Sequence, residues 1–286
     1  MTQRLFIDVQ HGLCNRLRAM ASAAAIAERS GRELVVIWVP DHHCDCSLSD
    51  VLLYGGPVIS NPELANLCRK QSKQFYTYME IEENATFQQP ILSYDTGGDV
   101  YIRSAYTLTS PYADVGFEDA FLRALCPSAA VMEFVDLVPH PSSMAMHIRM
   151  GTGPGFDHLS YEAPDNWPPE RHAELSHWRS KSHMRHFMAR LDSLLSAEEE
   201  KIESVFVAAD LPDVYTAFTE RYGSRIRFLP RRVFDRSAEQ IQYAMADLML
   251  LTAADLFLAS SWSSFSDLAQ RFARPGRRVE KSGVDF

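Results

Sequence analysis

The runs Ser143-Met144-Ala145-Met146-His147-Ile148-Arg149, Ser204-Val205-Phe206-Val207-Ala208-Ala209 and Leu256-Phe257-Leu258-Ala259-Ser260 are short, apolar through their centres, and end in polar loops. Unbroken runs of this length, without alternation, predict strands buried on both faces, as in a parallel sheet covered by helices. Parallel neighbours need long crossovers, and helical spacing supplies them over 182–196, 213–222, 238–251 and from 264 onward. The first half begins the same way. Residues 4–9 read as a strand, Met20, Ala21, Ala24 and Ala27 follow at helical spacing up to Gly31, and Leu34–Val39 is a second apolar run. This βαβ rhythm restricts the chain to an α/β class with largely parallel sheets. Between 50 and 140 the pattern is less regular, with strands expected at 74–79, 88–93 and 100–105 and helices near 117–125 and 128–137. Pro139-His140-Pro141 interrupts the chain just before a buried strand, so two domains are expected, 1–140 and 141–286.

With 286 residues, 46% of them apolar, the chain can build two cores. A net charge of −9 argues against a nucleic-acid surface. The local basic stretch Arg225, Arg227, Arg231, Arg232 and Arg236 reads as a solvated loop, or as a loop with one arginine facing a ligand. No apolar run has the length of a membrane span or a signal region, and a cytoplasmic, non-transmembrane protein is expected. Five irregularly spaced cysteines fit reduced thiols. The stretch from Gly151 to Pro169, rich in glycine and proline, reads as a functional loop or lid.

The carboxyl ends of parallel strands are where open α/β sheets place ligands. Arg149 ends one strand and offers a planar fork for phosphate oxygens, while Ser263 and Ser264 open a helix whose free N–H groups favour an anion. Together they suit a diphosphate. Gly12-Leu13-Cys14-Asn15-Arg16-Leu17-Arg18 occupies the first strand-to-helix turn, either as a ligand loop or as a plain turn with Asn15 capping the helix and both arginines in solvent. Ser264 and Asp267 have the spacing of a capping box. Asp247 shares a helical face with Tyr243 and Leu251, so it points inward and requires a ligand hydroxyl or an internal donor. Asp210 ends a strand, where it serves a ligand or caps the following helix. No Asp-x-Asp motif occurs. The densest metal-ligand group, His42-His43-Cys44-Asp45-Cys46 with Cys68, lacks the two separated pairs of a structural zinc site, so no metal is expected.

In order along residues 5 to 272, Gly12 to Ala19, Gly31-Arg32-Glu33-Leu34 with Trp38, His147-Ile148-Arg149, Ala209-Asp210, Asp247-Leu248 and Ser263-Ser264-Phe265-Ser266 resemble the landmarks of the fucosyltransferase superfamily. That group includes the nodulation and core α-1,6 enzymes and the protein O-fucosyltransferases. The resemblance implies a GT-B architecture of two facing Rossmann-like domains, an acceptor-side domain over 1–140 and a nucleotide-sugar domain over 141–286. It implies a metal-independent, inverting transfer of fucose from GDP-fucose to a glycan or other small-molecule acceptor, without a cofactor. By the same resemblance, Arg149 of the His147-x-Arg149 motif grips the diphosphate as the catalytic residue. Ser263, Ser264 and Phe265 surround phosphates and nucleoside, Asp247 supports the nucleoside, Asp210 ends the Ala-Thr-Asp strand, and Gly12, Asn15 and Arg16 belong to the N-terminal ligand loop.

Three positions depart from the family pattern: Cys14 replaces a frequent glycine, Met150 a frequent second arginine, and no aspartate follows in Gly151-Thr152-Gly153. A catalytically silent nucleotide-sugar-binding or interaction protein, or a transferase using another NDP-sugar, remains as an alternative. For the base that accepts the acceptor proton, the sequence offers Asp157, His158, Glu162 and Asp165 in the long loop, and Asp41, His42 or His43 in the first half.

Overall fold

The computed structural model describes residues 2–94, 97–151, 169–197, 201–231 and 233–286. The chain divides into two compact units, Met1–Ser128 and Ala129–Phe286. The first contains β1 (Arg4–Val9), α1 (Leu13–Arg29), β2 (Glu33–Ile37), α2 (Leu48–Val51), β3 (Leu52–Leu53), β4 (Val58–Ile59), α3 (Pro62–Gln71), β5 (Gln74–Thr77), β6 (Thr86–Phe87), β7 (Val100–Ser104), α4 (Val115–Ala124) and β8 (Cys126–Pro127). Its main sheet is parallel, in the order β4-β2-β1-β7-β5-β6, with β1 hydrogen-bonded to both β2 and β7. The alanines of α1 let that helix lie close on the sheet, where Ala19, Ala21, Ala23, Ala25, Leu17 and Ile26 are fully buried. The helix ends at Gly31, whose left-handed φ of 67° a side chain would strain.

One expectation for this unit needs correction, and one helix carried no expectation. Residues 88–93 form no strand, because Gln88 (φ 49°) and Leu92 (φ 55°) take left-handed backbone that breaks an extended ladder. Helix α3 was not read from its pattern, yet its start is a local signal: the Asn61 side chain accepts from the Leu64 N–H at 2.9 Å and Pro62 takes the first turn.

The second unit contains α5 (Ala129–Val135), β9 (Met144–Ile148), α6 (Pro169–Lys181), α7 (Met184–Ser196), β10 (Val205–Ala209), α8 (Pro212–Tyr222), β11 (Ile226–Arg227), α9 (Ala238–Thr252), β12 (Leu256–Ala259), α10 (Ser264–Phe272) and β13 (Arg278–Lys281). Its parallel sheet runs β11-β10-β9-β12-β13. The first strand of the unit is thus central, and the order reverses between β9 and β12. Met144, Met146, Ile148, Val205 and Val207 pack one sheet face against Phe187 and Leu191 of α7 and Phe218 of α8. Full burial of side chains of this size stabilises the fold by roughly 1.5–3 kcal/mol each.

The division between the units falls before α5, not at 140/141. Helix α5 packs on α9, and Phe134 stacks on Tyr243 with ring centroids 4.2 Å apart, so the segment ahead of Pro139 belongs to the second core. No helix among the described residues is long and apolar enough to cross a membrane.

Arg277 fastens the edge of this unit. It is buried over the Phe257 ring at 4.6 Å, donates to the carbonyls of Leu251 (2.6 Å) and Ala269 (2.9 Å), and also holds the Gln270 side chain. One guanidinium therefore closes the ends of α9 and α10. Replacing Arg277 by Met keeps the apolar contact but leaves those carbonyls unsatisfied, and is expected to cost about 3 kcal/mol in urea unfolding. A loss within about 0.5 kcal/mol, the range of an ordinary surface change, would show that the arginine is not a strut.

Candidate functional site

Reversal of strand order opens a crevice at the carboxyl ends of adjacent strands. In the second unit this point lies between β9 and β12, and it gathers most of the residues singled out above. The polypeptide leaves β12 through Ser260-Ser261-Trp262-Ser263, with Trp262 in left-handed backbone at φ 53°. Ser260 ties this turn to β9: its hydroxyl donates to the His147 carbonyl at 2.8 Å and accepts the Arg149 N–H at 2.9 Å. Ser261 is fastened outward, donating to the Ser282 carbonyl at 2.6 Å.

Ser263, not Ser264, caps α10, accepting the Ser266 N–H at 3.4 Å while its carbonyl takes the Asp267 N–H. The expected Ser264–Asp267 capping box does not form and the cap moves back one residue, because the left-handed turn at Trp262 returns the chain to extended backbone at Ser263. Ser264 and Phe265 are left in the first turn, half-buried. The Phe265 ring stacks on His147, centroids 4.7 Å apart and planes at 25°. His147 lies 2.8 Å from the Ser266 hydroxyl through Nδ1. Burial pushes its pKa down to about 3, with Arg149 and Arg179 acting in the same direction and Asp210 against it. The ring is therefore neutral at physiological pH.

Arg149 and Asp210 end neighbouring strands and meet as an ion pair through Nη1 and Oδ2. The same Arg149 nitrogen donates to the Gly151 carbonyl at 2.7 Å. Asp210 also accepts the N–H groups of Met150 (3.1 Å) and Gly151 (2.7 Å). Burial opposes ionisation of Asp210, but Arg149 and these two N–H groups outweigh it and hold the carboxyl below its ordinary range. Asp210 thus shapes the turn after β9 and does not cap α8.

Asp247 finds an internal donor. Its Oδ2 lies 2.5 Å from Nη2 of Arg231, and both side chains are about 95% buried. Burial pushes the Asp247 carboxyl upward, and Arg231 offsets only part of this. Arg231 is the member of the basic stretch that turns inward; Arg227 instead holds the Pro139 carbonyl at 2.9 Å. Nothing in the local pattern separates Arg231 from its neighbours, and only the inward direction of Asp247 asks for a cation.

In the first unit the loop after β1 is built differently from expectation. Gly12 is the cap residue of α1, in extended backbone and without a side-chain cap. Asn15 lies inside the helix and accepts from Arg18 at 2.8 Å. Arg16 is fully buried rather than in solvent or presented to a ligand. It donates to the carbonyls of His11 (2.7 Å) and Val39 (2.8 Å), pairs with Asp41 (2.8 Å), and lies 5.0 Å from the Trp38 ring centroid. It ties the ends of β1 and β2 together. Beside it His11, in left-handed backbone at φ 62°, packs against His43 (5.0 Å) and Tyr106 (6.4 Å), a group that sequence spacing did not reveal. Burial lowers the His11 pKa.

All five cysteines are free, with Cys44 and Cys46 buried and their sulfurs 3.6 Å apart. Among the described residues no three His, Cys, Asp or Glu side chains are grouped to hold a metal. Residues 152–168 of the long loop, including Asp157, His158, Glu162 and Asp165, lie outside the described residues.

A neutral buried histidine makes stability depend on pH with a definite sign. Between its ordinary pKa near 6.5 and the native value of about 3, the unfolded chain takes up a proton that native His147 refuses, so stability falls as pH falls. The slope from this one group reaches about 1.4 kcal/mol per pH unit. Urea unfolding at pH 7, 6 and 5 should show a smaller loss for His147→Gln than for the unsubstituted chain, His11 contributing with the same sign in both. Equal slopes would mean that His147 is not held neutral.

No protein-family model matches the chain, and no curated protein matches it in sequence. Solved structures do match in fold. The NodZ α-1,6-fucosyltransferase soaked with GDP-fucose superposes with a TM-score of 0.62 at 13% identity, covering 99% of this chain and 96% of that one. Fucosyltransferase NodZ from Bradyrhizobium gives 0.61 at 14% identity over 96% and 93%. POFUT1 in complex with GDP gives 0.58 at 13% identity over 99% of both chains. Both α/β units of this chain therefore carry the fold of these fucosyltransferases, along nearly its whole length.

Proposed function

We propose that the protein is a metal-independent, inverting glycosyltransferase. Its second unit binds a nucleoside-diphosphate sugar, GDP-fucose being the best-fitting donor, and the sugar passes to a hydroxyl of a glycan or other acceptor. The observation that carries this reading is the convergence of His147, Arg149 and the Ser263-Ser264-Phe265 turn at the switch point between β9 and β12. The matching fucosyltransferase structures with GDP or GDP-fucose support the guanosine donor.

The chemistry suits the residues. In an inverting transfer the acceptor oxygen attacks the anomeric carbon from the face opposite the diphosphate, its proton passes to a base or to water, the C–O bond to phosphate breaks, and that bond's electron pair leaves with the diphosphate. The growing negative charge needs positioned donors. Arg149 supplies a guanidinium whose place is set by Asp210 before any ligand arrives. The first turn of α10 supplies N–H groups and the positive end of the helix dipole, and such preorganised donors are worth several kcal/mol at an oxyanion. With charge stabilised in this way, a divalent cation has no necessary role.

Two observations favour the second reading, a nucleotide-sugar-binding protein without catalysis. Asp210 already neutralises Arg149, and Met150 stands where relatives often add a second arginine. In both readings the nucleotide binds the native state, so it stabilises by RT ln(1 + [L]/Kd), about 2.7 kcal/mol at a hundred times Kd. GDP is expected to raise the melting temperature more than UDP, CDP or ADP at equal concentration, with the shift unchanged in EDTA. A larger shift with UDP would overturn the guanosine assignment. A shift lost in EDTA and restored by Mn²⁺ would overturn metal independence.

A further inference from the structure

Arg231 has a setting that the diphosphate site does not explain. It lines a cavity of about 890 Å³ formed by α8, the loop after β11 and the start of α9. Its guanidinium carbon sits 5.5 Å from the ring centroid of Tyr243, 5.8 Å from Tyr215 and 5.9 Å from Phe234, and all three rings line the same cavity. Asp247 engages Nη2, while Nε of Arg231 and Oδ1 of Asp247 are buried without a hydrogen-bond partner among the described residues. An unmet donor on a desolvated guanidinium is costly to keep, and a ligand with an acceptor would satisfy it.

The cavity adjoins the strand end that carries the Arg149–Asp210 pair. The Tyr215 hydroxyl bridges the N–H (2.9 Å) and carbonyl (2.8 Å) of Ala209, and Pro212, two residues past Asp210, is part of the wall. Aromatic walls suit a flat ring by stacking. A fixed guanidinium fork suits two adjacent acceptors in the ring plane. Guanine presents O6 and N7 side by side, the edge that arginine reads most often in nucleic acids, whereas adenine places an amino donor at the O6 position and uracil has a C–H beside O4.

We propose that Arg231 selects the base of the donor, reading the O6/N7 edge of guanine within this cavity while Asp247 holds the guanidinium in place. This rests on the nucleotide-sugar reading given above and adds the residue that makes it guanosine-specific. The hypoxanthine base keeps O6 and N7 and lacks only the 2-amino group, so inosine diphosphate tests the edge directly.

The decisive experiment uses the unsubstituted full chain in calorimetric titrations with GDP, inosine diphosphate, 7-deaza-GDP and ADP. Inosine diphosphate should bind within about threefold of GDP, and both 7-deaza-GDP and ADP should bind about tenfold or more weakly, as loss of a charge-assisted bond implies. If 7-deaza-GDP matches GDP while inosine diphosphate weakens, the opposite edge is read and the proposal is wrong.

Arg231→Met alone leaves Asp247 buried and unpaired, so the variant of choice is Arg231→Met with Asp247→Leu, an apolar replacement of the whole pair. It should bind GDP and ADP within about threefold of each other, since neither base then meets a donor fork. Retained preference for GDP in this folded variant would remove Arg231 from base selection. Absence of binding by every nucleotide to the folded, unsubstituted chain would instead defeat the nucleotide-sugar reading and this inference with it. Binding of GDP and ADP with equal affinity would defeat the inference alone.

Discussion

A carboxylate at the end of β10 organises the edge on which the chemistry proposed for the second unit depends. Asp210 is largely withdrawn from water, which by itself would favour its neutral form; it stays ionised because Arg149 and the N–H groups of Met150 and Gly151 converge on it. Those contacts hold the chain where it leaves β9, and Ser260 repeats the arrangement from the other side by accepting the Arg149 N–H. The turn after β9 is thus clamped between its two neighbouring strands. A diphosphate entering here would meet donors already placed, so little reorganisation would accompany binding.

Arginine serves as a connector throughout the molecule. Arg16, Arg231 and Arg277 are each withdrawn from solvent, each lies over an aromatic ring, and each joins carbonyls or a carboxylate from separate elements. Lysine could not replace them, because a point charge lacks the planar fork and the flat face that these settings use. Position in a ligand-type loop is therefore no guide to an arginine's role: Arg16 sits in such a loop and is a strut, whereas Arg231 sits in an unremarkable basic stretch and lines a cavity.

The central strands were legible in the sequence because burial on both faces demands unbroken apolar runs, and β9, β10 and β12 fall within the strands expected at 143–149, 204–209 and 256–260. The edge strands β4, β6 and β13 were not, since they are two to four residues long and carry mixed polarity. Boundaries failed where a long-range contact outweighed a local cue. Proline at 139 and 141 marks a break in the chain, but the stacking of Phe134 on Tyr243 decides to which core α5 belongs. At the site, Arg149, Ser263 and Ser264 were read from their place at a strand end and a helix start, His147 and Phe265 only from the family resemblance, and Asp247 from its helical face. The Arg149–Asp210 pairing, the neutral state of His147 and the role of Arg231 depend on cross-strand distances and desolvation, which no spacing rule encodes.

The central claim is that Arg149 serves a phosphate and not only Asp210. Measuring GDP affinity and unfolding free energy on the same Arg149→Lys and Arg149→Ala proteins separates the two roles. The account predicts that both variants fold, that Lys weakens GDP binding because the fork is lost, and that Ala weakens it further. Ala should reduce affinity by roughly ten- to a hundredfold, as expected for a contact worth about 1.5–3 kcal/mol. Unchanged GDP affinity in folded Arg149→Ala, with the loss confined to stability, would make the residue a strut for Asp210 and contradict the phosphate contact.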